Sequence, residues 1–255
     1  MLSIRSTEAF DSAACRGMLA RARSIARAAR PQRCVLCVAN AGGKLLCTAC
    51  VDALPRPAAA CPVCALPAAD ALPCGACLAH PPPFAATVAG YVYAFPVDRL
   101  LQHLKYAGHL ALADWAGDAL AQAVCRALAV RAAPERPDCV VAVPLSAARQ
   151  RERGFNQAQE IAARVARHLR LPTVRPLMRI AGGAPQAALS WRKRAANVRG
   201  AFTVCGDVRG ARLALVDDVM TTGATLAEAA RTLVRAGAAR VECWVVARTP
   251  RTDGA

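Results

Sequence analysis

One stretch of the chain, residues 212–237, places a strand, a turn and a helix in direct succession. It begins with the aliphatic run RLALV, continues through Asp217 and Asp218, and passes by way of residues 221–225 (TTGAT) into an amphipathic pattern. A continuous apolar run is typical of a strand buried on both faces, as in parallel sheets. Two acids at its end are costly unless a cationic or hydroxyl-rich group lies against them. The stretch therefore predicts an α/β domain with a ligand at the end of this strand.

Further strands and helices are predicted elsewhere in the chain. Residues 139–144 and 240–249 are short apolar runs typical of buried strands, while 156–169 and 224–237 have the amphipathic pattern of helices. An order of strand, helix and strand implies a parallel sheet flanked by helices. Ligands of such sheets bind at the carboxyl ends of the strands, and the acid pair lies at such an end.

Composition divides the chain into three predicted parts. Residues 1–33 are rich in arginine and alanine and are expected to form a basic lead-in, disordered or helical. Residues 34–80 contain a cysteine-rich module, and a proline run marks its end. The strand–helix pattern then occupies residues 84–250, with a strand or hairpin at 86–95 and two helices between 98 and 131.

Eight cysteines form a compact block in which the spacing C-x2-C-x9-C-x2-C occurs twice. They are Cys34, Cys37, Cys47, Cys50, Cys61, Cys64, Cys74 and Cys77. Each C-x2-C pair places two thiolates on one side of a tight turn, and two pairs complete the tetrahedral sulfur shell that zinc prefers. The segment has too little apolar periodicity to build a core of its own. We therefore predict structural Zn²⁺ at these residues, with the number of ions and the pairing of the turns left open.

Other roles for the cysteines fit less well. Disulfides need an oxidising compartment, and no secretory signal is visible. A redox site usually has a single C-x-x-C at a strand–helix junction. An iron–sulfur cluster also takes four cysteines, but the regular pairs favour zinc. The five remaining cysteines lie among apolar residues and are predicted to be small core residues; they are Cys15, Cys125, Cys139, Cys205 and Cys243.

The chain is strongly basic, with a formal net charge of +16, and 30 of its 33 basic residues are arginine. Arginine's planar guanidinium suits phosphate groups. A solvated arginine-rich surface explains part of the excess, and the rest favours a polyanionic partner, either a phosphorylated small molecule or nucleic acid. The longest low-charge stretch, around residues 57–97, is interrupted by prolines and cysteines, so no membrane insertion is expected.

The site at the end of the 212–218 strand has no G-x-x-x-x-G-K-[ST] loop and no G-x-G-x-x-G motif. Backbone N–H groups and hydroxyls of residues 221–225 suit a terminal phosphate at a helix start, where the glycine lets the backbone come close. The two carboxylates suit a sugar diol, either directly or through Mg²⁺. A sugar 5-phosphate matches both ends of this arrangement.

Four segments resemble, in order, the ComF family (competence protein F, GntX-like), a branch of the type I phosphoribosyltransferases. They are LKYAGH at 104–109, AVPLSAARQRERGFNQA at 142–158, QAALSWRKRAANVRGAF at 186–202 and VDDVMTTGAT at 216–225. The cysteine block ahead of them resembles that family too. The resemblance extends from residue 34 to about 249. It implies a type I phosphoribosyltransferase-like parallel sheet flanked by helices, with an N-terminal cysteine-rich zinc-binding module.

The resemblance also implies a binding site for 5-phosphoribosyl-1-diphosphate (PRPP) with Mg²⁺. By position in the motifs, the ribose hydroxyls would contact Asp217 and Asp218, and the 5-phosphate would contact Thr221, Thr222, Gly223, Ala224 and Thr225. The diphosphate would face Leu145, Ser146, Arg149 and Arg153, and a mobile cover would include Gln186, Arg192 and Arg194. Lys105 and Tyr106 lie in the first of these motifs, but a partly snorkelled surface pair explains them at least as well as a role in the site.

Two functions follow as hypotheses from this resemblance. The first is a cytoplasmic PRPP-binding protein that serves DNA uptake in natural transformation or handles single-stranded DNA, with the DNA-uptake machinery as partner. The alternative is an active phosphoribosyltransferase that moves the phosphoribosyl group of PRPP to a nucleobase or amine. Such a reaction needs little acid–base equipment, because Mg²⁺ and arginines stabilise the departing diphosphate. No residue set in the sequence specifies an acceptor, and no catalytic residue is assigned.

Overall fold

The computed structural model describes residues 32–107, 110–132, 135–180 and 198–250. These residues fall into two compact units that divide between Ala53 and Leu54. The predicted cover residues Gln186, Arg192 and Arg194 lie outside the described residues, as do Cys15 and almost all of the basic lead-in.

The first unit ends at Ala53, and its described residues, 32–53, contain one short helix, α1 (Thr48–Asp52). An isolated antiparallel bridge pairs Arg33 with Asn40, so the chain turns back on itself at its first pair of cysteines. Within residues 32–53 few large apolar side chains are buried, among them Leu46. A metal is therefore the natural source of stability for this unit.

In its described residues the second unit contains six α-helices and seven strands. Its helices are α2 (Gly75–Ala79), α3 (Val97–Ala107), α4 (Leu110–Ala129), α5 (Ala147–Arg153), α6 (Gln157–Leu169) and α7 (Ala224–Arg235), with a 3-10 turn at Ala69–Ala71. Its strands are β1 (Thr87–Val92), β2 (Cys139–Ala142), β3 (Thr173–Val174), β4 (Leu177–Arg179), β5 (Phe202–Val204), β6 (Arg212–Met220) and β7 (Arg240–Arg248). The helices and buried strands predicted from periodicity are present, with ends that differ by a few residues.

The main sheet is parallel and has the strand order β1-β7-β6-β2-β3, so β6 lies at its centre. Val216 is in register with Ala142 of β2 and with Trp244 of β7. The carboxyl ends of these three strands therefore meet at one edge of the sheet. Strands β4 and β5 form a separate antiparallel pair. The predicted parallel sheet flanked by helices is confirmed.

Strand β6 is longer than its apolar run indicates. It was predicted to end at Asp218, but Val219 and Met220 continue the ladder opposite Ala247 and Arg248 of β7. The pairing extends because β7 also runs to Arg248 and supplies partners at these positions. As a result, the acid pair lies inside the sheet and not in the loop that follows it.

The scattered cysteines divide between core and surface. Cys139 and Cys243 are buried in the core that α7 shares with β2, β6 and β7, as predicted. The prediction was wrong for Cys125 and Cys205, which are exposed. Cys125 falls on the solvent side of α4, and Cys205 comes directly after β5, so apolar neighbours in the sequence do not bury either of them. Within the described residues, no helix combines the length and apolarity that a bilayer-spanning helix requires.

Candidate functional site

The loop that joins β6 to α7 approaches a helix N-terminus through a glycine. Gly223 has φ +81°, a left-handed conformation that favours glycine. The hydroxyl of Thr222 accepts a hydrogen bond from the N–H of Ala224 at 3.2 Å. Residues 221–225 are called the threonine loop below.

The threonine loop presents free hydrogen-bond donors. In the part of the chain that the structure describes, the N–H groups of Thr222 and Gly223 donate to no protein acceptor. They lie at the positive end of the 12-residue helix α7. Together with the hydroxyls of Thr221 and Thr225, this arrangement suits a phosphate group.

The acid pair lies within β6, two residues before this loop. Successive side chains of a strand point to opposite faces, so Asp217 and Asp218 have different surroundings. Oδ2 of Asp218 is 2.8 Å from Nζ of Lys105 on α3, and this carboxylate is buried. Oδ1 of Asp217 accepts a hydrogen bond from the N–H of Asp218 at 2.8 Å. The described residues form no salt bridge to Asp217. The two acids therefore differ: one is neutralised by the protein, and the other is left for a ligand.

The surroundings of Asp217 favour its protonated form. Burial raises the pKa of its carboxyl group to about 8, and the neighbouring charge of Asp218 contributes in the same direction. Burial lowers the pKa of Lys105, but attraction to Asp218 and Asp217 outweighs this effect and keeps the pKa above its usual value. Lys105 is thus a permanent cation beside a carboxyl group that exchanges its proton near neutral pH.

The loop after β2 is anchored beside the acid pair. The N–H of Val143 donates to the carbonyl of Val216 at 3.0 Å. Nδ2 of Asn156 in turn donates to the carbonyl of Val143 at 3.1 Å. Between these anchors lie the half-buried Leu145 and Ser146, two residues predicted to face a diphosphate. The hydroxyl of Ser146 caps α5 by accepting a hydrogen bond from the N–H of Arg149 at 3.4 Å.

Arginines from two elements surround this edge of the sheet. Arg149 on α5 is exposed, and the guanidinium of Arg153 lies 5.4 Å from the ring centre of Tyr106. Arg179, the last residue of β4, is close enough to both Arg149 and Asp217 for their charges to affect it. Burial lowers the pKa of Arg179, and repulsion from Arg149 adds to that shift. The structure therefore adds Arg179 to the predicted cations.

Arg179 is a site residue that sequence reasoning missed. For Lys105 the sequence leaves a site residue and a surface residue open, and the structure favours the first because its side chain pairs with Asp218. The sequence signal for Lys105 is the LKYAGH motif in which it lies. The sequence offered no comparable signal for Arg179, because a strand of only three residues gives no readable periodicity.

The eight cysteines of the block form two four-cysteine clusters. The first cluster contains Cys34, Cys37, Cys47 and Cys50, and the second cluster contains Cys61, Cys64, Cys74 and Cys77. Within each cluster all sulfur atoms lie within 4.8 Å of one another. Each cluster joins two consecutive C-x2-C turns, which answers the question of pairing that the spacing left open.

The distances between sulfur atoms fit zinc. Tetrahedral coordination with Zn–S bonds of about 2.3 Å separates the sulfurs by about 3.8 Å. Sγ of Cys37 is 3.6 Å from Sγ of Cys47, and Sγ of Cys64 is 3.7 Å from Sγ of Cys74. Both separations are far too long for a disulfide bond. The predicted structural zinc is thus supported by the geometry of both clusters.

The turns of each cluster also favour a thiolate. Burial raises the pKa of the Cys61 thiol, but main-chain hydrogen bonds, led by one from Cys74, outweigh it and lower the pKa to about 7. The N–H of Cys74 lies 3.3 Å from Sγ of Cys61. In the first cluster the same kind of bonds lower the pKa of Cys34 to about 6 against the effect of burial. Thiolates are the form in which cysteine binds metal.

Comparison with known protein families gives two matches. The Phosphoribosyl transferase domain family matches residues 120–254, and the Double zinc ribbon domain family matches residues 25–78. The first range includes the acid pair, the threonine loop and most of the parallel sheet. The second includes all eight cysteines of the two clusters.

Individual relatives match from about half to four fifths of the chain. DNA utilization protein YhgH of Salmonella typhi is 37% identical over 206 residues, which are 80% of this chain and 90% of that protein. Competence protein F of Haemophilus influenzae is 32% identical over 184 residues, covering 69% of this chain and 78% of that protein. Competence protein ComFC of Bacillus subtilis is 35% identical over 117 residues, covering 46% of this chain and 47% of that protein.

Proposed function

The chain belongs to the ComF family of phosphoribosyl transferase domain proteins, and we propose that it binds PRPP, or a related ribose 5-phosphate, at the carboxyl end of β6. The observation that carries this proposal is the contrast within the acid pair. Lys105 neutralises Asp218, whereas Asp217 has no salt bridge among the described residues and lies on the strand that leads into the threonine loop with its free N–H groups. A ligand with hydroxyls and a phosphate would provide a partner both for the Asp217 carboxylate and for these N–H groups.

Each part of the ligand has a partner in this proposal. The 5-phosphate accepts hydrogen bonds from the N–H groups and hydroxyls of the threonine loop. Asp217 takes the ribose hydroxyls, directly or through Mg²⁺, while Lys105 holds Asp218 in place. The diphosphate faces a cationic surface formed by Arg149, Arg153 and Arg179. Bound Mg²⁺ would neutralise charge on the diphosphate, and Asp217 is the carboxylate that suits it.

We assign the protein to DNA handling for two reasons. Relatives that cover most of the chain are named for DNA utilization and competence, and the chain carries a net charge of +16 that suits a phosphate backbone. Single-stranded DNA and the DNA-uptake machinery are therefore its proposed partners. Two clusters of reduced cysteines require a reducing compartment, which supports a cytoplasmic location.

An active phosphoribosyltransferase is the second candidate. The arginines near Asp217 favour it, because cations close to a departing diphosphate stabilise the charge that develops there. In that case the protein would be a glycosyltransferase that forms a bond from C1 of the ribose to a nucleobase or amine, with release of diphosphate. Binding of PRPP is common to both candidates.

One experiment separates these functions. The full chain is titrated calorimetrically with PRPP and Mg²⁺ and, separately, with single-stranded DNA, each with and without the other ligand, at several salt concentrations. We expect PRPP to bind, and DNA affinity to fall as salt rises. Release of diphosphate on addition of a nucleobase would favour the transferase. Absence of PRPP binding at millimolar concentration would contradict the proposed site.

The affinity for PRPP is expected to depend on pH through Asp217. Its pKa of about 8 means that binding of Mg²⁺ or ribose hydroxyls below that pH must displace a proton. Affinity should therefore rise by up to about tenfold per pH unit until about pH 8, and then level off. The same pKa lies above that of an unfolded aspartate, about 3.9, so ionisation of Asp217 lowers the free energy of unfolding as pH rises between these values.

Calorimetry in two buffers with different heats of ionisation would count the released protons at pH 7. Asp218→Asn keeps Asp217 but removes a neighbouring charge that raises its pKa, so affinity should still depend on pH and should level off at a lower pH than in wild type. Affinity that is constant between pH 6 and 8 would exclude Asp217 as the titrating group.

A further inference from the structure

Arg248, the last residue of β7, is a buried arginine with only 6% of its surface exposed. Its Nε donates a hydrogen bond to the carbonyl of Cys64 at 2.8 Å. Its Nη1 donates to the carbonyl of Met220 at 2.8 Å and also to the carbonyl of Thr221. A single guanidinium therefore joins a residue of the second cluster to the residues that lead into the threonine loop.

At one end of this connection the cysteine turn is firmly attached to the sheet. Oγ1 of Thr87 on β1 donates to the carbonyl of Val63 at 2.6 Å, and its N–H donates to the carbonyl of Pro62 at 2.9 Å. Cys64 itself is buried. With zinc bound, four sulfur ligands fix this turn, and the carbonyl of Cys64 becomes a rigid acceptor for Arg248.

At the other end, Arg248 determines which way the loop amides point. A trans peptide unit is planar, so its C=O and N–H point in opposite directions. Because Arg248 holds the carbonyl of Thr221, the N–H of Thr222 is directed away from the guanidinium. The carbonyl of Met220 is held in the same way, which directs the N–H of Thr221 away as well. These are donors that a phosphate would use.

The charge of Arg248 also favours an anion at the threonine loop. Arginine remains protonated in proteins, so a cation lies behind the threonine loop, where it donates to the carbonyls of Met220 and Thr221. Low solvent exposure weakens screening of that charge. An anion in front of the loop is therefore attracted by the amides and by the guanidinium behind them.

We propose that Arg248 is a positioning residue that couples zinc at the second cluster to phosphate binding at the threonine loop. The ligand of that loop is taken from the proposed function, so the inference rests on it. Zinc fixes Cys64, Cys64 fixes the guanidinium, and the guanidinium holds the loop amides in the orientation that a phosphate requires. By thermodynamic linkage, a phosphate ligand also strengthens retention of zinc at this cluster.

The first test needs no ligand and measures hydrogen exchange of the loop amides in the full chain. Cys77→Ser removes zinc from the second cluster while leaving Cys64 intact, and Cys50→Ser is the same change in the first cluster. The amides to follow are those of Ala224, which donates to the Thr222 hydroxyl, and Thr249, which donates to the carbonyl of Met220. We expect Cys77→Ser to raise their exchange about tenfold, and Cys50→Ser to leave it unchanged. Unchanged exchange in Cys77→Ser protein that has lost its zinc would overturn the inference.

The second test is a double-mutant cycle with Arg248→Met and Cys77→Ser, read by calorimetric affinity for ribose 5-phosphate. Each single change is expected to weaken binding about tenfold, within the 5- to 150-fold range of coupled sites. The double variant should be no weaker than Arg248→Met alone. Losses that multiply would overturn the inference, because they indicate two independent contributions.

Two further variants keep this test independent of folding defects. Arg248→Lys retains a cation but lacks the planar fork that bridges separate carbonyls, so it should fold and still lose the coupling. Arg240→Met makes the same change at the amino end of β7 and should behave as wild type. If wild-type protein does not bind ribose 5-phosphate, the proposed function fails, and the exchange experiment still decides the inference about Arg248.

Discussion

Replacing Asp217 with asparagine is expected to lower the affinity for PRPP with Mg²⁺ by about 100-fold, without loss of folded protein. Asp217 is the member of the acid pair without a salt bridge among the described residues. Loss of a charged partner in binding costs about 3 kcal/mol, which corresponds to roughly that factor. Because the neutral form of Asp217 is the one that burial favours, asparagine should not destabilise the fold.

Asp218→Asn is the matched control for this change. It removes the salt-bridge partner of Lys105 and leaves that half-buried ammonium with only the attraction of Asp217, which should lower the free energy of unfolding by up to about 3 kcal/mol. Affinity and stability should thus respond to different members of the pair. Calorimetric titration and chemical denaturation at pH 8 measure the two quantities. Equal affinity of wild type and Asp217→Asn would show that the site does not bind PRPP through this carboxylate.

The second large effect is expected from loss of a zinc ligand. Wild-type protein should contain two zinc ions per chain, and Cys61→Ser or Cys34→Ser should each reduce this to one, because each removes a ligand from a different cluster. Zinc contributes about 10 kcal/mol or more to the folding of small cysteine sites. The turns of the affected cluster should therefore lose protection from hydrogen exchange.

Elemental analysis of the purified variants gives the metal count directly. Exposed Cys125→Ser is the control, since it removes a cysteine that belongs to neither cluster and should leave both ions in place. Protein that contains no zinc, or that keeps two ions after Cys61→Ser, would contradict the assignment of the clusters.

Local patterns in the sequence were sufficient for the elements of the fold. Apolar runs and amphipathic periods identified the buried strands and long helices because such burial leaves a trace in residue order. The limits of β6 were less accessible, since Val219 and Met220 join the strand only through pairing with β7. The exposed positions of Cys125 and Cys205 were missed for a similar reason, because neighbouring residues do not determine which side of an element faces solvent.

Residue order alone indicated both kinds of site: repeated cysteine spacing indicated zinc, and acids followed by threonines and glycine indicated a phosphorylated sugar. These signals are readable because every residue involved lies within a short segment, where spacing alone brings the chemical groups together. Only the tertiary structure decided that Lys105 neutralises Asp218, that Arg179 approaches Asp217 and that Arg248 joins Cys64 to the threonine loop. These contacts join residues far apart in the chain, and only the packing of helices and strands against one sheet brings them within hydrogen-bonding or electrostatic range.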